Sequence, residues 1–86
     1  MKIVNVVVEG LGARCKEARL RYQARTGLTV EQVAEKIGGF NRSYLYKIEN
    51  DKTNNGVNVE TLNRMEELYE EKLWNEPTIK MYKEGN

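Results

Sequence analysis

Between Leu28 and Lys52 the chain reads LTVEQVAEKIGGFNRSYLYKIENDK, a pattern that leaves little choice of local structure. Val30, Val33, Ala34 and Ile37 recur at i, i+3, i+4 and i+7, so a helix there carries one apolar face. Thr29 precedes it with a side-chain oxygen suited to capping the first turn. Gly38-Gly39 ends it. Asn41 then caps a second short helix; Phe40 just before the cap, Leu45 and Ile48 turn inward while Arg42, Ser43, Tyr46 and Lys47 turn outward. The result is two short helices joined by a tight glycine turn. The second helix shows solvent a guanidinium, a hydroxyl, a phenol and an ammonium group.

A chain of 86 residues, 40% hydrophobic and 31% charged, buries one modest core, so a single domain over residues 1–86 is expected and a large catalytic cleft is not. The net charge of +1 conceals a sorted distribution. Residues 14–52 hold nine Lys/Arg against five Asp/Glu, and residues 60–76 hold two against six. A basic front and an acidic back suit a protein that orients itself on a polyanion, although two solvated helix faces of opposite sign give the same counts. The chain has no histidine and one cysteine, which removes an internal disulfide, the usual metal ligand sets and the commonest general base. Cys15 shares a helical face with Leu11, Ala18 and Tyr22 and reads as a small core residue rather than a nucleophile. No cofactor, metal or catalytic residue is expected, and the apolar run Ile3–Val8 is too short to span a bilayer or act as a signal peptide. A cytoplasmic, non-enzymatic protein with no membrane partner is the expectation.

Residues 2–8, KIVNVVV, are rich in β-branched side chains and read as a strand. A helix follows from Leu11 to about Arg25, ended by Gly27, with Arg14, Arg21 and Arg25 forming a basic stripe and Leu20 projecting from the opposite side. After a turn-rich loop, Asn58 caps a further helix that the pattern carries to about Trp74, with Val59, Leu62, Met65 and Tyr69 as its core face. Thr78–Tyr82 reads as a short second strand within a tail at 77–86. Neither terminal strand satisfies its backbone alone. They pair either with each other or with the same strands of a second copy, and the second arrangement makes a homodimer through the terminal strands.

The segments Gly27–Gly38, GLT-x-E-x-VAEKIG, and Asn41–Asn50, NRSYLYKIEN, followed by Lys52 and the ETL of Glu60–Leu62, resemble the phage repressor and Cro type of helix-turn-helix domain over Leu11 to about Tyr69. The resemblance implies a mainly α fold: a compact, lambda-repressor-like bundle of four helices spanning 11–74, here with short accessory β-strands at both termini. It also implies that the helix beginning at Arg42 enters the major groove of double-stranded DNA. Arg42, Ser43 and Lys47 then fall at base-contact positions, and Asn41, Asn50 and Lys52 at phosphate-contact positions. The chemistry agrees, since arginine and lysine donate to the guanine acceptors O6 and N7 while asparagine, lysine and helix N-termini hold phosphates. Tyr46 is a further base candidate, and Thr29 and Tyr44 are phosphate candidates, with a core or interface role left open for both tyrosines. The resemblance also pairs Glu49, on the inner side of the recognition helix, with Arg19 of the first helix.

Departures from the family pattern are a turn one residue longer at Gly38–Asn41, Val30 where a phosphate-binding glutamine is common, a first helix about a turn longer, and no recognisable fifth helix after Tyr69. The expected function is a sequence-specific transcriptional regulator, a homodimeric repressor reading a two-fold operator. The alternative is an antirepressor or antitoxin-like module that uses the acidic helix, Trp74 and Leu20 to bind a regulatory protein partner. A carboxylate metal site or catalytic pair at Glu66, Glu67, Glu70 and Glu71 is the weakest reading, because like charges on a solvated helix face explain the cluster.

Overall fold

The computed structural model describes residues 3–85, with side chains over 4–83; Lys2, assigned above to the first strand, and Asn86 lie outside the described residues. Strand β1 (Ile3–Val8) leads into helix α1 (Leu11–Thr26), followed by α2 (Val30–Gly38), α3 (Arg42–Glu49), the two-residue strand β2 (Val57–Asn58) and α4 (Val59–Tyr69). A single 3-10 turn at Glu76–Thr78 then precedes strand β3 (Ile79–Gly85). The molecule is mainly helical, with its strands gathered from the two ends and from the α3–α4 loop.

The terminal strands pair with each other within the chain. β1 lies at the centre of a sheet of order β2-β1-β3 and is antiparallel to both neighbours. Asn5 and Val6 face Asn58 and Val57 on one side, while Ile3 to Val7 face Gly85 to Met81 on the other. The register slips between Val7 and Val8, whose partner is Ile79, so Lys80 is the extra residue of a bulge. Strand alternation turns Val6 and Val8 toward the helices, where they are buried with Val57.

One core joins the sheet to the four helices. Leu11, Cys15, Ala18 and Tyr22 of α1, Val33, Ala34 and Ile37 of α2, Leu45 and Ile48 of α3, and Leu62, Met65 and Tyr69 of α4 are all buried in it. Each fully buried leucine, isoleucine or methionine contributes roughly 1.5–3 kcal/mol relative to exposure. Val30, Phe40 and Val59 are half-buried and pack against its margin.

The last helix is shorter than the residue pattern implies. α4 stops at Tyr69, and Glu70 adopts a left-handed conformation with φ 58°. Continuing to Trp74 would carry Leu73 past the core; instead the chain folds back and Leu73 is only 1% exposed. Three polar contacts hold this return. The Glu66 carboxylate accepts from the Leu73 and Trp74 N–H groups at 2.8 and 3.4 Å, and Arg14 Nε donates to the Leu73 carbonyl at 2.7 Å. The second strand also begins one residue later than read from the sequence, because Thr78 closes the 3-10 turn with Asn75.

Candidate nucleic-acid interface

Helix α3 turns about 100° per residue, which sets positions 42, 43, 46, 47 and 50 within an arc of roughly 140°. Arg42, Ser43, Tyr46, Lys47 and Asn50 are all exposed on that arc, and none of the five is acidic. Leu45 and Ile48 face the opposite way and are buried, so the packing fixes which side of the helix meets solvent.

Glu49 lies between the two faces and is only 6% exposed; Arg19 of α1, 5% exposed, meets it in two parallel hydrogen bonds of 2.6 and 2.8 Å. The hydrogen bond that Arg19 donates to Glu49 outweighs desolvation and holds the Arg19 guanidinium above its ordinary pKa. Arg19 also donates to Gln23, whose amide donates to the Leu28 carbonyl at 3.0 Å. One polar chain therefore ties α3 to α1 and to the loop that delivers α2. The same guanidinium lies 5.7 Å from the centroid of the Tyr46 ring, a cation–π distance, and so supports an aromatic side chain that is 40% exposed.

Around this face the flanking residues are placed by capping. Thr29 accepts from the Gln32 N–H at 3.2 Å while the Gln32 side chain accepts from the Thr29 N–H at 2.9 Å, closing a capping box at the start of α2. Gln32 stands three residues after the cap, the position at which a glutamine closes such a box. Asn41 accepts from the Tyr44 N–H at 3.1 Å and caps α3. The lengthened turn is accommodated by Gly39, whose φ of 73° is left-handed. Tyr44 is half-buried against Phe40, the rings 5.0 Å apart and edge to face. At the other end of α3 the exposed Lys52 is fixed through its backbone, its N–H donating to the Lys47 carbonyl at 2.9 Å. Asp51 closes the frame by accepting from the Gly12 N–H at 3.1 Å, which satisfies a free donor at the start of α1. Neither Gln23 nor Asp51 carried a sequence signal, since both act across the fold.

The basic stripe of α1 does not join this surface as free charge. Arg21 pairs with Glu71 in two bonds of 2.8 and 2.6 Å, Arg25 lies 3.7 Å from Glu70, and Arg14 donates to the carbonyls of Glu9 and Leu73. The Arg21 guanidinium holds the Glu71 carboxyl below its ordinary pKa. Sorted charge along the sequence thus becomes, in part, a clasp between α1 and the end of α4. Trp74 is half-buried, with its indole nitrogen covered, whereas Leu20 remains 50% exposed. Among the described residues no three acidic or cysteine side chains converge in a way that would hold a metal ion, and no helix is long and apolar enough to cross a membrane.

A family model described as helix-turn-helix matches residues 22–73, more than half of the chain, and takes in α2, the glycine turn, α3 and α4. Comparisons with curated proteins and with solved structures give no match. The matched span contains the capped helix pair, the buried Arg19–Glu49 pair ties α3 to the part of α1 that precedes it, and the chain belongs to the helix-turn-helix family of the Cro/C1 type, a family of DNA-binding transcription regulators.

Proposed function

We propose that the chain is a single-domain, sequence-specific regulator that binds double-stranded DNA in the cytoplasm, acting as a homodimeric repressor joined through its terminal strands. The observation that carries this reading is the exposed arc of α3, cationic and polar throughout, on a helix whose orientation is fixed by the Arg19–Glu49 pair. Arg42, Ser43, Tyr46 and Lys47 read base edges in the major groove. Arginine supplies the bidentate donor pair for guanine, each such contact discriminating by about 1–3 kcal/mol.

Thr29, Asn41, Tyr44, Asn50 and Lys52 hold phosphates. The Asn41 carbonyl oxygen is engaged in its cap, which leaves the amide N–H groups as donors, and the Thr29 hydroxyl keeps its hydrogen while its oxygen accepts from Gln32. A regulator of this kind places its two recognition helices about 34–36 Å apart, one turn of DNA.

The test is selection from a random duplex pool at near-physiological salt, with an Arg42→Ala, Lys47→Ala double variant alongside. Enrichment of a two-fold site by the wild type and not by the variant is the expected result. A single enriched half-site contradicts the homodimer, and no enrichment by either protein contradicts sequence reading. The second reading, a module that binds a regulatory protein partner, is supported by the half-exposed Leu20 on α1. It gains ground if the wild type shows only weak, salt-sensitive binding.

A further inference from the structure

The loop from Asn50 to Gly56, between α3 and β2, holds a pair of residues with chemistry of its own. Asn55 is the only asparagine in the sequence followed by glycine; the others precede valine, arginine, aspartate, asparagine or glutamate, or end the chain. With no Cβ on the following residue, nothing shields the next backbone nitrogen from the asparagine's own side-chain carbonyl carbon. The Asn55 side chain is exposed, while Gly56 is buried. Its N–H donates to the Thr53 carbonyl at 2.9 Å, so the nitrogen that would attack is held inside a turn. Two further bonds pin the same loop to the sheet. The Asn5 side-chain amide of β1 donates to the Asn55 carbonyl at 3.1 Å, and the Lys83 ammonium of β3 donates to the Asn54 carbonyl at 3.0 Å.

We propose that Asn55 is a site of spontaneous covalent modification, deamidating through Gly56 when this loop opens locally, and that the three bonds set how often it opens. In the opened loop the Gly56 nitrogen gives up its proton and bonds to Asn55 Cγ. The bond from Cγ to the side-chain nitrogen breaks, and that nitrogen leaves with the proton as ammonia. A cyclic succinimide remains. Water then adds to one of its two carbonyls and reopens the ring, giving aspartate when the new bond at Cγ breaks and isoaspartate when the original peptide bond breaks. The net change consumes one water and releases one ammonia, with no oxidant, reductant or enzyme required. The two products differ in consequence. Aspartate adds a charge at an exposed position and leaves the main chain its length. Isoaspartate routes the main chain through the side chain and inserts one carbon just before Gly56. That carbon has no room, since a Cβ on Gly56 would already lie 2.6 Å from the Val6 carbonyl oxygen. Isoaspartate therefore pushes β2 out of its register with Asn5 and Val6. This chemistry is independent of how the chain reads DNA.

The test is peptide mapping by mass spectrometry on the folded full chain aged in mildly alkaline buffer, with the products separated and the thermal unfolding of each measured. Asn55 is expected to react ahead of every other asparagine, and more slowly than in the urea-unfolded chain. Lys83→Ala and Asn5→Ala are each expected to speed the reaction by about two- to tenfold, the factor that one hydrogen bond contributes to a local opening equilibrium. Lys83→Ala removes only a partly exposed side chain and leaves the core intact. Val33→Ala lowers global stability from the buried core and is expected to leave the rate unchanged at a temperature where the variant is folded. Another asparagine reacting first, an unfolded chain that reacts no faster, or loop variants without effect would each overturn the proposal. So would a Val33→Ala rate raised as far as that of Lys83→Ala, because the reaction would then pass through global unfolding. An isoaspartate form that unfolds at the same temperature as the aspartate form contradicts the displacement of β2.

Discussion

Arg19 does two things at once: it neutralises Glu49 in the interior and it supports the exposed ring of Tyr46. Removing either charge alone strands the other in a nearly dry site, and Arg19→Ala or Glu49→Ala is expected to cost roughly 3–5 kcal/mol in urea unfolding. The double variant should cost clearly less than the sum of the two, which a double-mutant cycle reads directly. Tyr69 behaves in the opposite sense. Its hydroxyl is buried without a hydrogen-bond partner among the described residues, so Tyr69→Phe is expected to be neutral or to stabilise by about 1 kcal/mol in the same assay. Burial pushes the Cys15 thiol up to about 12, and the fold therefore favours the protonated form. That preference has no effect on stability while folded and unfolded chains both keep the proton. Stability falls as the pH rises through the unfolded thiol's range, from about 8.5 upward. Tyr69, raised by the same cause, acts in the same direction. The urea midpoint should drop with alkaline pH, and Cys15→Ala should reduce the slope.

The backbones of α1 and α3 come close where the start of one meets the end of the other. A Cβ on Gly12 would lie 2.4 Å from the Glu49 carbonyl oxygen and 2.8 Å from an Asp51 carboxylate oxygen, so only glycine permits this approach. Gly12→Ala is expected to destabilise by about 1–3 kcal/mol. It should also weaken duplex binding beyond the loss of folded protein, because α3 must shift, and titrating DNA at a temperature where the variant is folded separates the two effects. The same junction explains what was legible in the sequence. Periodicity and caps located α1, α2 and α3 because those signals lie within one element: Thr29, Asn41 and Asn58 all cap where their residue types suggested. Features set between elements left no local trace. Nothing in Val57–Asn58 marks a strand until β1 lies beside it, and the apolar stripe of α4 runs on through Leu73 although the chain must turn there to bury it. The Asp51–Gly12 bond, 39 residues apart, is of the same kind. The outward arc of α3 was readable because it is the complement of a helical apolar face.

Across the whole molecule, charge has been divided between holding the fold together and facing solvent. Arg14, Arg21 and Arg25 of α1 are engaged with the end of α4 and the segment after it, while Arg42, Lys47 and Lys52 stand exposed near one another in sequence around α3. Lys52→Ala is expected to weaken binding to all duplexes and to lower the slope of log affinity against log salt by about one, whereas Arg42→Ala should chiefly relax base preference. Equal effects of both changes on specific and random DNA contradict the division into base and phosphate contacts. The central strand has another consequence, one of timing. β1 emerges before the helices during synthesis, yet its partners are residues 57–58 and 79–85. The helical contacts between 11 and 69 span shorter loops and close sooner, while Val4, Val6 and Val8 wait unpaired for most of the chain to follow. A ribosome paused before β3 would therefore hold a helical core with an open apolar strand at its front, the state of this protein most exposed to misassociation.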